Sequence, residues 1–247
     1  MRIHLLGDTA RECYLAEMLR ERGHMTVDLG PFDLVILPLP RGEIAKEHAE
    51  KFPAKQKIIC GLVSEEFKAL AKARQWALYP ILQDEAFTQE NALLSAEGAV
   101  YAAMRQADFS LHGASCAVIG YGRIGKALTK MLRGLGACVT VAARREESRK
   151  EAGSNSVSTD ELHLLLPQIQ ILFNTVPAPL IDQALLSAAK PNALFIELAS
   201  PPYGIDLSAA QQMGLRAWLE SGIPGRYCPQ SAAKAILGYI ERSIGHG

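Results

Sequence analysis

From Ala117 to Leu128 the chain reads AVIGYGRIGKAL: an apolar run, three glycines spaced G-x-G-x-x-G, and the start of a helix-forming segment. Few folds accept that order. Gly120 permits the tight turn out of a strand, Gly122 lets the backbone approach a pyrophosphate, and Gly125 lets helix and strand pack closely. The helix that opens at Arg123 and Ile124 offers free N–H groups and the positive end of its dipole to phosphates. Some twenty residues on, CVTVAAR supplies a second strand, completing the spacing of a dinucleotide-binding βαβ unit.

The end of that second strand sets the expected cofactor. A carboxylate there accepts hydrogen bonds from the adenosine ribose of NAD, but this chain has Ala142-Ala143-Arg144-Arg145. Guanidinium groups suit a 2′-phosphate, with charge-assisted, forked hydrogen bonds, so the sequence predicts NADP held by Ala143, Arg144 and Arg145 together with the glycine loop.

The rest of the chain alternates in the same way. RIHLLG, MTVDLG, DLVILPLP and KIICGLV are short apolar runs separated by helix-like stretches at Arg11–Arg22 and Ser64–Arg74, and WALYPILQ adds an edge strand. A long helix is expected from near Thr88 or Asn91, followed by a hinge at DFSLHG. A second series then runs through CAVIG, CVTVAAR, ILFNTV, ALFIELA and RAWLES, with helices near 160–166, 181–189 and 207–213 between strands. Alternation of this kind gives parallel sheets. The expected fold is α/β, with two doubly wound parallel-sheet domains, the C-terminal one a Rossmann NAD(P)-binding domain. Residues 1–88 form the substrate-side domain, 89–229 the cofactor domain with its linking helix, and a closing helix at 230–247 packs back on the first domain.

Lys+Arg and Asp+Glu both number 26, so no net field draws the chain to nucleic acid or anionic membrane. No apolar run approaches the roughly 18 residues of a membrane helix. Asp8 and Arg11 fall where a secretory signal needs an apolar core. Five cysteines without a C-x-x-C argue against zinc and disulfides, and point to a reducing cytoplasm with Cys116 and Cys138 as core thiols. No metal is expected.

In a doubly wound sheet the carboxyl ends of the strands face the cofactor. Asn174-Thr175-Val176-Pro177, then Leu198-Ala199-Ser200, then the SGIPGRY loop with Gly222 and Pro224 are therefore expected on the nicotinamide side, with Ser200 and Pro224 reaching substrate in the interdomain cleft. Arg41, after the third strand, suits a substrate carboxylate. A histidine paired with a carboxylate, which a 2-hydroxy acid dehydrogenase needs, is not evident. His163 is expected on a helix facing away, and His4 and His24 in structural positions. His112 in the hinge and Glu97 on the long helix are the candidate catalytic residues. Glu97 and Asn91 either bind substrate or face solvent, and Cys60 is either a reactive thiol or core.

The segments SAEGAVYAAMRQADFSLHGASCAVIGYGRIGKALTKMLRGLGACVTVAARR, FNTVPAPLI, IELASPPYGID and GIPGRYCPQSAAKAI resemble the family of dipicolinate synthase A-subunits, from about Glu97 to the end. The resemblance implies oxidation of a dihydrodipicolinate-type, lysine-pathway intermediate to aromatic pyridine-2,6-dicarboxylate for spores. It also implies a small dicarboxylate substrate and a partner resembling the flavoprotein-like B-subunit of dipicolinate synthase; a homo-oligomer is expected besides. The chain departs from the family pattern at PLPRGEI, where the family has a longer Gly- and Thr-rich loop, and at Ser200–Gly204, where the family has a basic residue and a Gly-Gly pair. These departures leave two other readings: an NADP-binding regulatory or partner-binding module, or a different two-domain NADP-dependent oxidoreductase.

Overall fold

The computed structural model describes residues 1–40, 44 and 46–244, so the predicted substrate residue Arg41 lies outside the described residues. The chain forms two compact units, one of Met1–Asn91 and Pro224–Gly247, the other of Ala92–Ile223.

The first unit is a five-stranded parallel sheet in the order β2-β1-β3-β4-β5. Its strands are β1 (Arg2–Leu5), β2 (Met25–Thr26), β3 (Leu34–Ile36), β4 (Lys57–Cys60) and β5 (Ala77–Pro80). The expected edge strand WALYPILQ is thus β5. Neighbours along β3 alternate between two cores, because successive side chains leave opposite faces of a strand. Leu34 and Ile36 pack with helices α1 (Ala10–Glu21) and α11 (Pro229–Ser243), through Leu15, Leu19, Ile236 and Ile240. Val35 and Leu37 pack with Phe52, Phe67 and Trp76, beneath α2 (Lys46–Ala49) and α3 (Glu65–Ala73). Burial on both faces explains why these strands read as unbroken apolar runs.

The second unit is a six-stranded parallel sheet in the order β11-β10-β9-β6-β7-β8. Its strands are β6 (Ser115–Ile119), β7 (Cys138–Ala142), β8 (Ser156–Val157), β9 (Ile171–Asn174), β10 (Leu194–Glu197) and β11 (Arg216–Leu219). This is the Rossmann order, with the chain reversing direction across the sheet between β6 and β9. Helices α5 (Arg123–Gly134), α6 (Glu146–Ala152), α7 (Leu162–Leu165), α8 (Gln183–Leu186) and α9 (Leu207–Gln212) connect the strands. Both sheets are all-parallel, as the alternation predicts.

Several local expectations are corrected. The long helix α4 (Glu85–Gln106) begins before Thr88, because the Asp84 carboxylate accepts from Phe87 N at 2.7 Å and caps it. β8 is too short to give a periodic signal. The expected helix at 181–189 shrinks to α8, since Ile181 bridges to Ile205 instead. SGIPGRY is not all loop: Ile223–Tyr227 form the short helix α10. Cys116 is core, but Cys138 is exposed, because it starts β7 before β8 begins to pair alongside.

Candidate cofactor site

The glycine loop joins β6 to α5, and each glycine meets a different constraint. Gly120 has φ +92°, and a Cβ on it would lie 2.5 Å from Thr175 Oγ1. Thr175 is itself held there, its hydroxyl donating to Ile119 O at 2.8 Å. A Cβ on Gly125 would lie 2.2 Å from the Gly120 carbonyl oxygen, so α5 sits as close to the loop as a glycine allows. Gly122 is the opposite case. It is exposed, and its missing Cβ would meet nothing within 4 Å. No side chain caps α5, leaving its first N–H groups facing this open position. An apolar face with Leu128 and Leu132 at 0 % exposure anchors the helix behind the loop. A packed base under an open rim is what a pyrophosphate cradle requires. Arg123 is exposed and Ile124 half-buried at its edge.

Arg144 and Arg145 are both exposed beyond the end of β7, and no ion pair reaches either of them among the described residues. Ala143 is buried beneath them. A third arginine, which carries no motif in the sequence, organises this corner. Arg149 Nη1 donates to the carbonyls of Ala143 and Arg144 at 2.8 and 2.7 Å, fixing the backbone from which Arg144 projects.

The loop after β9 departs from expectation at Asn174. Its side chain is 0 % exposed and turned inward, donating to Val176 O at 2.9 Å and to Glu197 Oε1 at 2.7 Å, so it organises the loop rather than reaching for a cofactor. Thr175 and Val176 are half-buried and Pro177 exposed. Glu197, unremarked in the sequence, is the centre of this corner. It is also 0 % exposed, and its carboxylate accepts from Asn174 Nδ2, from Ala199 N at 2.8 Å, and from Gly204 N and Ile205 N at 2.8 and 2.9 Å. One side chain thereby fixes the whole loop from Leu198 to Ile205. Gly204 must be a glycine, because a Cβ there would lie 2.3 Å from Asn174 Nδ2. A glutamate at the end of a buried strand was the signal, since such a residue is rarely buried without partners. Leu198 is half-buried, Ala199 buried and Ser200 exposed on the loop so held. A cavity of about 630 Å³ opens beside it, lined by Pro179, Leu180, Tyr203 and Gly204 among others. Its two carboxylates, Asp182 and Asp206, serve as caps of α8 and α9.

The candidate catalytic residues fare differently. His112 precedes β6, at the amino edge of the sheet, with Gly113 N donating to Gly136 O at 2.9 Å. Its ring lies where a side chain on Gly136 would stand. The length of β6, about 3.3 Å for each residue, stands between it and the glycine loop. Glu97 is exposed on α4, with no hydrogen bond or ion pair to orient it among the described residues. Asn91 is half-buried at the end of the first unit's N-terminal segment, Pro224 is half-buried in α10, and Gly222 is exposed with φ +62°. Cys60 is core: burial pushes its thiol up to about 11 despite the nearby Lys68 cation. Burial likewise pushes Cys116 up to about 12.

Residues 86–201 match the family described as D-isomer specific 2-hydroxyacid dehydrogenase, NAD binding domain. The chain is 29% identical over 204 residues to the dipicolinate synthase A-subunit of Bacillus subtilis (strain 168), covering 81% of this chain and 69% of that protein. The crystal structure of the dipicolinate synthase A-subunit from Bacillus halodurans superposes with a TM-score of 0.87 at 22% identity, over 100% of this chain and 98% of that one. The corresponding crystal structure from Bacillus subtilis gives 0.85 at 24% identity, over 99% and 96%. At these identities the two structures speak to the fold. The match to an NAD binding domain supports a nicotinamide cofactor and the frame of an oxidoreductase. The resemblance to the dipicolinate synthase A-subunit family is thus found again in both sequence and fold, and residues 86–201 are similar to the NAD binding domain of the D-isomer specific 2-hydroxyacid dehydrogenases.

Proposed function

We propose that this oxidoreductase uses NADP and forms dipicolinate from a dihydrodipicolinate-type precursor, as one component of a two-component enzyme. The observation that carries the cofactor half is the pair of exposed guanidinium groups without carboxylate partners at the end of β7, on a backbone clamped by Arg149. Two such groups hold a 2′-phosphate by charge-assisted hydrogen bonds and would leave a ribose hydroxyl without an acceptor. The similarity to the dipicolinate synthase A-subunit supports the substrate half.

In this reading NADP supplies the hydride acceptor. The α5 N-terminus with Gly122 would hold the pyrophosphate, and the loop clamped by Glu197, with its exposed Ser200, would border the nicotinamide. Hydride leaves a dihydropyridine ring carbon, a proton leaves the same ring, and the product is an aromatic dicarboxylate. Aromatisation makes that proton loss easy, so the step demands little of a general base.

Two measurements test the proposal. In fluorescence titrations Arg144→Ala is expected to lose about ten- to hundredfold in affinity for NADPH and to leave NADH binding unchanged; equal loss for both cofactors would refute the 2′-phosphate role. For the reaction, absorbance would follow dipicolinate formed from fresh dihydrodipicolinate and NADP+, with this chain alone and with a flavoprotein-like partner of the B-subunit type. Product only with both supports the two-component reading, whereas NADPH binding without product in either case would discard the substrate assignment.

A further inference from the structure

The first unit has a switch point of its own. From β1 the chain passes to β2 on one side of the sheet and then to β3 on the other, so strand order reverses between β1 and β3. In open α/β sheets ligands bind outside the carboxyl ends of the strands at such a point. The residues there are Leu6–Thr9 after β1 and Leu37–Pro40 after β3.

One cation is fixed across these two strand ends. The Arg11 side chain is 12% exposed, and its Nε and Nη2 donate to Glu12 Oε1 at 2.9 and 2.6 Å. Nη2 also donates to Leu39 O at 2.9 Å, tying β1's end to β3's. Glu12, 5% exposed, is held in turn by the Thr9 hydroxyl. The loop beyond Leu39 is braced by Leu62 N, which donates to Pro40 O at 2.8 Å. Arg11 is therefore oriented through two of its three nitrogens. The third, Nη1, has two N–H groups and no acceptor among the described residues. On its side stands Gly225, whose missing Cβ would lie 3.5 Å from Nη1, in ordinary contact with the donor.

A guanidinium oriented by a buried carboxylate, with one NH2 left without an acceptor at a switch point, is a preorganised donor for an anion. The geometry points to Arg11 as the carboxylate-binding residue of the first unit, with Nη1 donating to one carboxylate of the substrate. The Arg11–Glu12 pair is electroneutral, so it suits a singly charged carboxylate rather than a doubly charged phosphate. This inference rests on the dicarboxylate reading of the substrate and supplies the anion contact that the sequence assigned to Arg41.

Calorimetric titration of the full chain saturated with NADPH tests it, using pyridine-2,6-dicarboxylate, pyridine-2-carboxylate, malonate and inorganic phosphate. Three proteins are compared: the unchanged chain, Arg11→Gln, and Arg11→Lys, which keeps a cation opposite Glu12 and so guards against misfolding. The expected result is that pyridine-2,6-dicarboxylate binds the unchanged chain and loses about ten- to hundredfold in both variants, while NADPH affinity stays the same. Malonate binding that depends on Arg11, without binding of either pyridine acid, would uphold the subsite and remove dipicolinate as its ligand. Carboxylate binding indifferent to Arg11, binding of phosphate alone, or no carboxylate binding to the unchanged chain would overturn the inference.

Discussion

Both sheets begin with a strand that runs through a glycine into a helix, and they treat that helix N-terminus in opposite ways. In the second unit the space over Gly122 is open and the first N–H groups of α5 have no side-chain cap. In the first unit α1 likewise has no side-chain cap, but a carboxylate stands against its glycine. A Cβ on Gly7, φ +116°, would lie 3.0 Å from Glu12 Cγ and 3.6 Å from its Oε2, so a carboxylate already stands at the start of α1. A negative side chain in the first turn of a helix complements its dipole and repels a second anion. The difference teaches which sheet takes the nucleotide. An open glycine loop receives phosphate through backbone, whereas a carboxylate-filled one excludes phosphate and uses its acceptor to orient Arg11.

The largest effect is expected on removing that internal anion. Glu12→Ala leaves Arg11 buried without its partner and should lower unfolding free energy by about 3–5 kcal/mol in chemical denaturation. Loss of less than about 1 kcal/mol, the range of an exposed pair, would mean that the two loops are less different than their geometry implies. Next comes Gly125→Ala, whose Cβ would strike the Gly120 carbonyl oxygen. NADPH affinity should fall about a hundredfold, and stability by about 1–3 kcal/mol; a variant that binds normally would break the close-packing argument. Gly122→Ala sharpens the contrast, because nothing lies near its Cβ and its φ of −83° is ordinary. Its melting temperature should be nearly unchanged while NADPH binding weakens about tenfold, which separates space kept for a ligand from space needed to fold.

The smallest effect concerns a thiol in each sheet. Cys60 in β4 and Cys116 in β6 are pushed up from an ordinary 9.0 to about 11 and about 12 by burial. Above pH 9 the unfolded chain releases these protons while the native chain keeps them. Stability contributed by the neutral buried thiols is thus complete below pH 9 and is lost as pH rises toward 11 and 12, by on the order of 1 kcal/mol per thiol and pH unit. Denaturation at about pH 8 and about pH 10, on either side of the unfolded thiol's range, reads the loss, which Cys60→Ala and Cys116→Ala should each diminish. An unaltered pH dependence in Cys116→Ala would place the titrating group elsewhere.

Much of the second unit was legible because its function is written in backbone requirements. Gly120, Gly122 and Gly125 stand at fixed spacings, and the arginines follow the next strand at a fixed interval, so a local pattern carries the geometry. Glu197 and Asn174 were not legible in that way. They are 23 positions apart in the chain, meet only because β9 and β10 pair in register, and show no periodicity that marks them as partners. The surroundings of His112 were not legible either, because a hinge residue carries no period, and only the pairing of Gly113 with Gly136 shows what it packs beside.

The sequence by itself determined that this chain alternates strand and helix, that its sheets are parallel, and that a dinucleotide cradle opens after β6. Those are properties of short segments, set by hydrophobic period and by glycine's freedom at close approach. Tertiary structure alone decided that Glu197 clamps the loop after β10, that Arg149 fixes the strand end bearing Arg144, and that Arg11 bridges the ends of β1 and β3. The contacts of Glu197 with Asn174 and of Arg11 with Leu39 depend on strand order, because those buried charges find partners across neighbouring strands, whereas Arg149 reaches back five and six residues to the strand end it holds.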